Sequence, residues 1–310
     1  MQGLRKLKQP NSSLLIMLIF FGGLLLHHSL NQSASTRTQF NKTTELDEVL
    51  RRASTETRTV VLTTVNSTWA RPGSVLDLFF KSFQIGYDTR GFLNHLVIVT
   101  TDEPAFLYCK SIHRYCYDLT KEFPNSNYKT LSQRKTTLLG QALYLGYNLI
   151  LTDADVMWFR SPLRHFIPGI DITTSRNYYT DGVGNRIERA DGGIMHVWTN
   201  DRSINFYKYA DVLRHLYPDL NEQTIFESTL EATGDMRVEY VDTDYFGGFC
   251  QPSKDISKVS TMQANCCENT EKKVHDLRLL LDEWKNYTAL PPEGREAAKS
   301  SFSWKAPERC

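Results

Sequence analysis

Short apolar runs rich in β-branched residues punctuate the chain: Val60-Val-Leu-Thr-Thr-Val65, Leu96-Val-Ile-Val-Thr100 and Leu149-Ile-Leu-Thr152. Too short for buried helices and flanked by turn formers, they read as buried strands. Between them, apolar positions recur at helical spacing. Val75, Leu76, Phe79, Phe80 and Phe83 precede Gly86, and Leu131, Leu138, Leu139, Ala142 and Leu145 precede Gly146. A short helix over Ala105–His113 follows the break at Asp102-Glu103-Pro104, and Tyr115–Leu119 adds a strand. Strands alternating with helices predict a parallel sheet covered on both faces.

Further along, Pro162–Pro168 reads as a short helix or loop, and Ile170–Thr174 as a strand. Asn177–Arg189 has the polar, glycine-containing composition of a mobile loop. Asp191–Trp198 is a strand whose glycines allow close approach of a ligand or backbone. Ile204, Tyr207, Asp211 and Leu213–Leu216 predict a helix stopped before Pro218, and Asn221 opens another. Val238–Val241 is a strand, Asp242–Phe249 an aromatic and glycine-rich loop, and Val274, Leu277, Leu281 and Trp284 mark a last amphipathic helix. Residues 291–310, with Pro291, Pro292 and Pro307, read as an extended tail.

The N-terminus changes the picture. Leu14–Leu26 is an apolar run behind Arg5, Lys6 and Lys8. It fits a signal-anchor helix over residues 12–30, with a cleaved signal peptide as the alternative. The basic side faces the cytosol, leaving residues 1–11 as a cytosolic tail and the rest in the lumen. Residues 31–57 are polar and read as a stem, with a weak helix around Leu46–Arg52. The folded domain is then expected over 58–290. Glycosylation sequons at Asn31, Asn41, Asn66 and Asn286 and six cysteines agree with a lumenal, oxidising location. Cys109 with Cys116 is the first expected disulfide, and Cys250 with Cys266 or Cys267 the second. The net charge is +1, five basic residues lie in the first 44, and no basic stripe marks the remainder, so a nucleic-acid partner is not expected.

The strand Leu149–Thr152 runs directly into Asp153-Ala-Asp155 and then the apolar Val156–Phe159. Residues i and i+2 of a strand share a face. Two carboxylates at the end of a buried strand are costly unless something positive accompanies them. A divalent cation held by oxygen ligands answers that need; capping of a turn is the plainer alternative. At the carboxyl end of a central strand, the pair sits where open α/β sheets bind ligands. Asp242-Thr-Asp244 repeats the spacing without the strand and reads as a loop cap or acceptor contact. Glu222 and Gln223 open a helix, either as a first-turn pair or beneath a sugar ring. Asp191-Gly-Gly193 reads as a pocket wall or a bulge, Arg134 and Lys135 as solvated or phosphate-reaching, and His196 as a core histidine. Tyr245, Phe246 and Phe249 read as core or as an acceptor platform.

The string from Leu145 through Leu-Ile-Leu-Thr-Asp-Ala-Asp-Val-Met-Trp-Phe-Arg-Ser-Pro162 closely resembles plant nucleotide-diphospho-sugar transferases of glycosyltransferase family 77. That family includes xylosyl- and arabinosyltransferases of cell-wall polymers and hydroxyproline-rich glycoproteins. The resemblance spans roughly residues 58–288 and takes in Cys109–His113, Arg134, Glu222-Gln223 and Ala264-Asn-Cys-Cys267. It implies an α/β fold of GT-A type, with a mainly parallel sheet flanked by helices. It also implies a Golgi enzyme of type II topology that retains anomeric configuration in moving a sugar, a pentose in the best-matched members, from a UDP-sugar to a glycan or glycoprotein acceptor with Mn2+ or Mg2+. Carried over by residue, Asp153, Asp155 and Gln263 are the metal ligands, and Gln223 and Asp155 the catalytic pair. Thr64, Arg134, Asp153, Gly192 and Asn265 hold the donor. Two positions depart from the family: Gln263 stands where a histidine is usual, and Asp191-Gly-Gly193 where Asn-x-Gly is usual. They motivate a second reading, a non-catalytic lumenal scaffold or nucleotide-sugar-binding protein.

Overall fold

The computed structural model describes residues 44–122, 128–180 and 186–310. The expected anchor at 12–30 and most of the stem lie outside these residues. Among the described residues no helix is long and apolar enough to cross a membrane.

The chain runs α1 (Glu45–Ala53), β1 (Thr59–Val65), α2 (Val75–Ile85), β2 (Leu96–Thr100), α3 (Glu103–Ile112) and β3 (Cys116–Asp118). It continues through α4 (Leu119–Glu122), α5 (Tyr128–Tyr144), β4 (Asn148–Thr152) and β5 (Val156–Trp158). The hairpin strands β6 (Ile172–Thr180) and β7 (Arg186–Val197) follow, then α6 (Asp201–Leu216), α7 (Glu222–Thr233) and β8 (Val238–Val241). The last elements are β9 (Phe246–Gly248), β10 (Thr261–Gln263), α8 (Thr270–Ala289) and α9 (Pro292–Ser301).

Seven strands form the main sheet in the order β3-β2-β1-β4-β7-β6-β8. β1 pairs in parallel with both β2 and β4. The sheet is mixed, because β7 lies antiparallel between β4 and β6. The chain builds outward from β1 to β3, then returns to lay β4 on the other side of β1. That reversal leaves a crevice at the carboxyl ends of β1 and β4.

Alternation along the central strands assigns the two faces. Val61, Val65 and Ile150 join α2 and α8 in one apolar layer. Val60, Leu62, Leu149 and Leu151 join α1 and α5 in the other. By the same alternation Thr64 and Asp153 continue the Leu62 and Leu151 side. A register shift in the β6–β7 ladder between Thr174 and Arg176 leaves Asp191–Ile194 as a bulge. The expected loop at 177–189 is instead largely strand, extended through Thr180 and resumed at Arg186.

A small sheet, β5-β10-β9, was not visible in the periodicity. β10 pairs antiparallel with β5, setting Gln263 opposite Val156. Beneath it, Trp158 is fully buried against Phe83 and Phe92, with ring centroids 4.7 and 5.0 Å apart. Phe159 stacks on Trp284 at 4.7 Å. The aromatic half of the conspicuous aspartate string is thus packing that fixes the loop bearing the acids.

The stem and tail readings change at both ends. Leu46, Leu50 and Ala53 of α1 are buried in the core, so the folded domain takes in Glu45–Ala53 and does not begin at 58. The C-terminal stretch includes α9 and is then clamped to α8. Buried Glu283 accepts from the main-chain N–H groups of Lys305 and Ala306, and buried Asp276 from those of Arg309 and Cys310. Disulfides join Cys109–Cys116, Cys250–Cys266 and Cys267–Cys310.

Candidate active site

A cavity of about 160 Å³ opens at the crevice beside β1 and β4. Its floor continues the alternation just described, with Leu62 and Thr64 from β1, and Leu151 and Asp153 at the end of β4. One helical face of α5 supplies Lys135, Leu138 and Leu139. The start of α7 adds Glu222 and Gln223, and Arg214 lines the far side. Asn221 caps α7 by accepting from the Thr224 N–H at 2.8 Å, which fixes where Glu222 and Gln223 emerge.

Lys135 Nζ lies 3.7 Å from both Glu222 and Asp153. The Glu222 carboxylate, with Asp153 adding to it, outweighs burial and holds this ammonium above its ordinary range. Burial holds the Tyr207 hydroxyl beside it neutral, above its ordinary pKa. Arg214 is buried, donates to the Leu220 carbonyl at 2.6 Å, and leaves its Nε without a partner.

Next to this cavity the two aspartates diverge in environment. Asp153 is 40% exposed in its side chain, and its main-chain N–H is tied to the Gly193 carbonyl of the bulge at 2.9 Å. Asp155 is buried, and its Oδ2 meets Lys273 Nζ of α8 at 2.5 Å. Lys273 is itself 7% exposed, with its ammonium 4.8 Å from the Trp69 ring centre. Gln263 bridges the acids: Nε2 donates to Asp153 Oδ2 at 3.2 Å and lies 3.4 Å from Asp155 Oδ1. Gln263 Oε1 is buried with no partner.

Among the described residues no group of three or more His, Cys, Asp or Glu side chains gathers for a metal. What is gathered is two carboxylates and the Gln263 amide, whose nitrogen faces them and whose oxygen is orphaned; turned about its terminal bond, that amide would complete an all-oxygen donor set that fits Mn2+ or Mg2+.

The other expected residues fall as follows. Gln223 lines the cavity and donates to Glu227 at 3.2 Å. Arg134, one residue and about 100° around the helix from Lys135, meets His215 at 3.1 Å and does not line the cavity. Asn265 Oδ1 accepts from the Cys250 N–H at 3.0 Å, closing a loop outside the cavity. Gly192 lies in the bulge, and at the next position a Cβ on Gly193 would stand 2.0 Å from Gln263 Oε1. Asp242 caps its own turn, accepting from the Asp244 N–H at 2.9 Å, in keeping with the loop reading. Phe246 and Phe249 are buried in the core.

Sequence reasoning passed over Lys273 and Arg214. Lys273 had a signal. A lysine in the opening turns of a helix opposes the helix dipole, so its presence there asks for a nearby carboxylate.

His196 is a core residue. It stacks on Phe166 with ring centroids 4.5 Å apart, and its Nδ1 has no partner. Burial pushes its pKa down to about 4. The unfolded chain therefore takes a proton between pH 6.5 and 4 that the fold refuses. The stabilisation is complete above about 6.5 and is lost as pH falls toward 4, on the order of 3 kcal/mol in full. His196→Phe keeps the stack and is expected to flatten this part of the stability profile. Urea unfolding at pH 7, 5.5 and 4.5 checks it, with the residual slope left to His165, lowered to about 4 by burial, to His113, also lowered by burial, and to carboxylates such as Asp171 and Asp276 that, against burial, hydrogen bonds hold below their ordinary range.

A crevice at the switch point of an α/β sheet, lined by cations, carboxylates and amides, defines a binding site for a polar, phosphorylated small molecule. The chain belongs to the nucleotide-diphospho-sugar transferase family, whose model matches residues 91–277. An uncharacterized protein of Arabidopsis thaliana is 34% identical over 284 residues, 86% of this chain and 73% of that protein. The β-arabinofuranosyltransferase RAY1 of the same plant is 30% identical over 116 residues, 36% of this chain and 21% of that enzyme. The solved galactosyltransferase LgtC, in complex with donor and acceptor sugar analogues, is similar at a TM-score of 0.45 and 11% identity, covering 76% of this chain and 99% of that one.

Proposed function

We propose that the chain is a retaining glycosyltransferase of GT-A type in family 77. It would move a sugar, a pentose by its similarity to the arabinosyltransferase, from a UDP-sugar to a glycan or glycoprotein acceptor. The observation that carries the reading is the convergence of Thr64, Lys135, Asp153, Glu222 and Gln223 on one cavity, with Asp155 and Gln263 joined to Asp153. At about 160 Å³ the enclosed space is smaller than the ~300–1,000 Å³ of whole-ligand pockets. It suits one part of a nucleotide sugar, and its polar α7 wall suits the sugar.

Asp153, Asp155 and Gln263 would hold Mn2+ or Mg2+, which when bound neutralises a diphosphate and makes it a better leaving group. Lys135 is protonated and bears on the same region. The Gln223 amide, on the cavity wall, would steady positive charge developing at the sugar's reacting carbon. In a same-face transfer the departing phosphate oxygen takes the proton of the acceptor hydroxyl, so no protein base is required. We place the enzyme in the Golgi membrane, anchored through residues 12–30 with the domain in the lumen.

The test is a panel of UDP-sugars offered to the purified full chain with Mn2+, following UDP release. Hydrolysis of one UDP-pentose above the others is expected, and hydrolysis of none, with no binding, defeats the enzyme reading. Gln263 in place of the usual histidine favours the alternative of a lumenal binding protein. Its signature is donor binding without hydrolysis or transfer.

A further inference from the structure

We infer that Lys273 is a resident counter-ion of the aspartate pair, exchanged for the divalent cation only when a diphosphate arrives with it. This rests on the metal and diphosphate reading above and adds the residue that couples the two. Lys273 is a positioning residue, acting through Asp155.

The argument begins with burial. Asp155 and Lys273 are both more than nine-tenths buried, and their charged atoms are in direct contact at 2.5 Å. Neither charge is tolerable there alone. A cation that takes Asp155 as a ligand lowers the carboxylate's hold on the ammonium, and Lys273 then needs another anion. Beside it lies the Trp69 ring, which attracts a cation weakly and cannot neutralise it.

Charge balance points the same way. Among the described residues that line the cavity or touch the aspartates stand three carboxylates, Asp153, Asp155 and Glu222, and three cations, Lys135, Lys273 and Arg214. The formal charge is zero. A dication alone leaves the site at plus two, and a doubly charged diphosphate alone leaves it at minus two. Together they restore neutrality, and the ammonium released by Asp155 gains a phosphate oxygen. Among the described residues only two acidic ligands stand together, and sites of that kind draw their remaining ligands from substrate phosphates. Gln263 fits the scheme, since its amide already contacts both carboxylates without adding charge.

Such coupling is reciprocal. Mn2+ binding to the full chain is measured by electron paramagnetic resonance of the free ion, and UDP binding by calorimetry, each with and without the other. In the wild type each should tighten the other by about 10–100-fold. In Lys273→Met, Asp155 is freed, so Mn2+ alone should bind at least ~10-fold tighter than in wild type while the coupling shrinks by a similar factor. Damage to the fold would weaken Mn2+ binding, so the tightening distinguishes exchange from a structural role. Lys273→Gln, which removes the charge and keeps a hydrogen-bond donor, should behave alike and serves if the methionine variant does not fold.

Uncoupled binding in the wild type, or coupling that survives both substitutions, overturns the exchange while leaving the metal reading intact. Mn2+ that binds neither alone nor with UDP overturns the metal reading, and the exchange with it.

Discussion

Asp153→Ala is expected to leave the protein folded and to remove UDP release, whereas Asp155→Ala should lose both activity and stability. The difference follows from where the two acids sit. Asp153 is 40% exposed in its side chain, accepts from the Gln263 amide and lies 3.7 Å from Lys135. Lys135 keeps Glu222 when Asp153 is removed. Stability should change by under about 1 kcal/mol, as for a solvent-screened ion pair. The catalytic loss is larger. Stabilising the leaving diphosphate is worth several kcal/mol, and at 1.36 kcal/mol per decade the rate should fall roughly 1,000-fold. Asp155 is buried, and its removal strands the Lys273 ammonium with no other acid in contact among the described residues. A stranded buried charge costs about 3–5 kcal/mol. Asp155→Asn keeps the shape and leaves the same charge unbalanced, so it too should unfold at a lower temperature than Asp153→Ala. Thermal unfolding and Mn2+-dependent UDP release, measured on all three, separate these outcomes. Full activity in either alanine variant defeats the metal assignment.

The parts of this site that the sequence announced are those governed by local periods. Two-residue alternation in Val60–Val65 and Leu149–Asp153 already aligned Thr64 with Leu62 and Asp153 with Leu151. The helical period grouped Leu138, Leu139 and Ala142, and Lys135 falls on the same stripe. Arg134 carries the same charge one residue away, and only the helix phase tells them apart. Gln263 reaches the aspartates across 108 and 110 residues through strands of three residues each. Three residues are too few to show any period, so the small sheet was illegible and only the family resemblance led to Gln263. The C-terminal stretch misled for a different reason. Its prolines read as an extended tail, but its order is imposed by buried Asp276 and Glu283 on the apolar side of α8, which pair with main-chain N–H groups beyond residue 304. Hydropathy counts such acids as surface.

Gly193→Ala is expected to disconnect Gln263 from both aspartates. The backbone at Gly193 is one any residue can adopt, so the effect is steric alone. The new methyl carbon would lie 2.0 Å from Gln263 Oε1, 2.4 Å from its Cδ and 2.8 Å from its Nε2. No side chain tolerates that approach, and Gln263 must rotate away. Its main chain cannot follow, because Gln263 is paired with Val156, the next residue's N–H is bonded to the Asp155 carbonyl, and the Cys250–Cys266 disulfide ties the segment that follows. Because the atoms that must yield are the end of a flexible side chain, the cost should be about 1 kcal/mol, the bottom of the overpacking range. Gln263→Ala in the same chain removes the clash, so the double variant should regain most of that stability, with an interaction energy of about 0.5–3 kcal/mol in the cycle. Metal-dependent binding should not return with it, because the amide oxygen is then absent. If stability and Mn2+ binding recover together, Gly193 only makes room and Gln263 is no ligand. If stability recovers and binding does not, the Gln263 amide is part of the cation site.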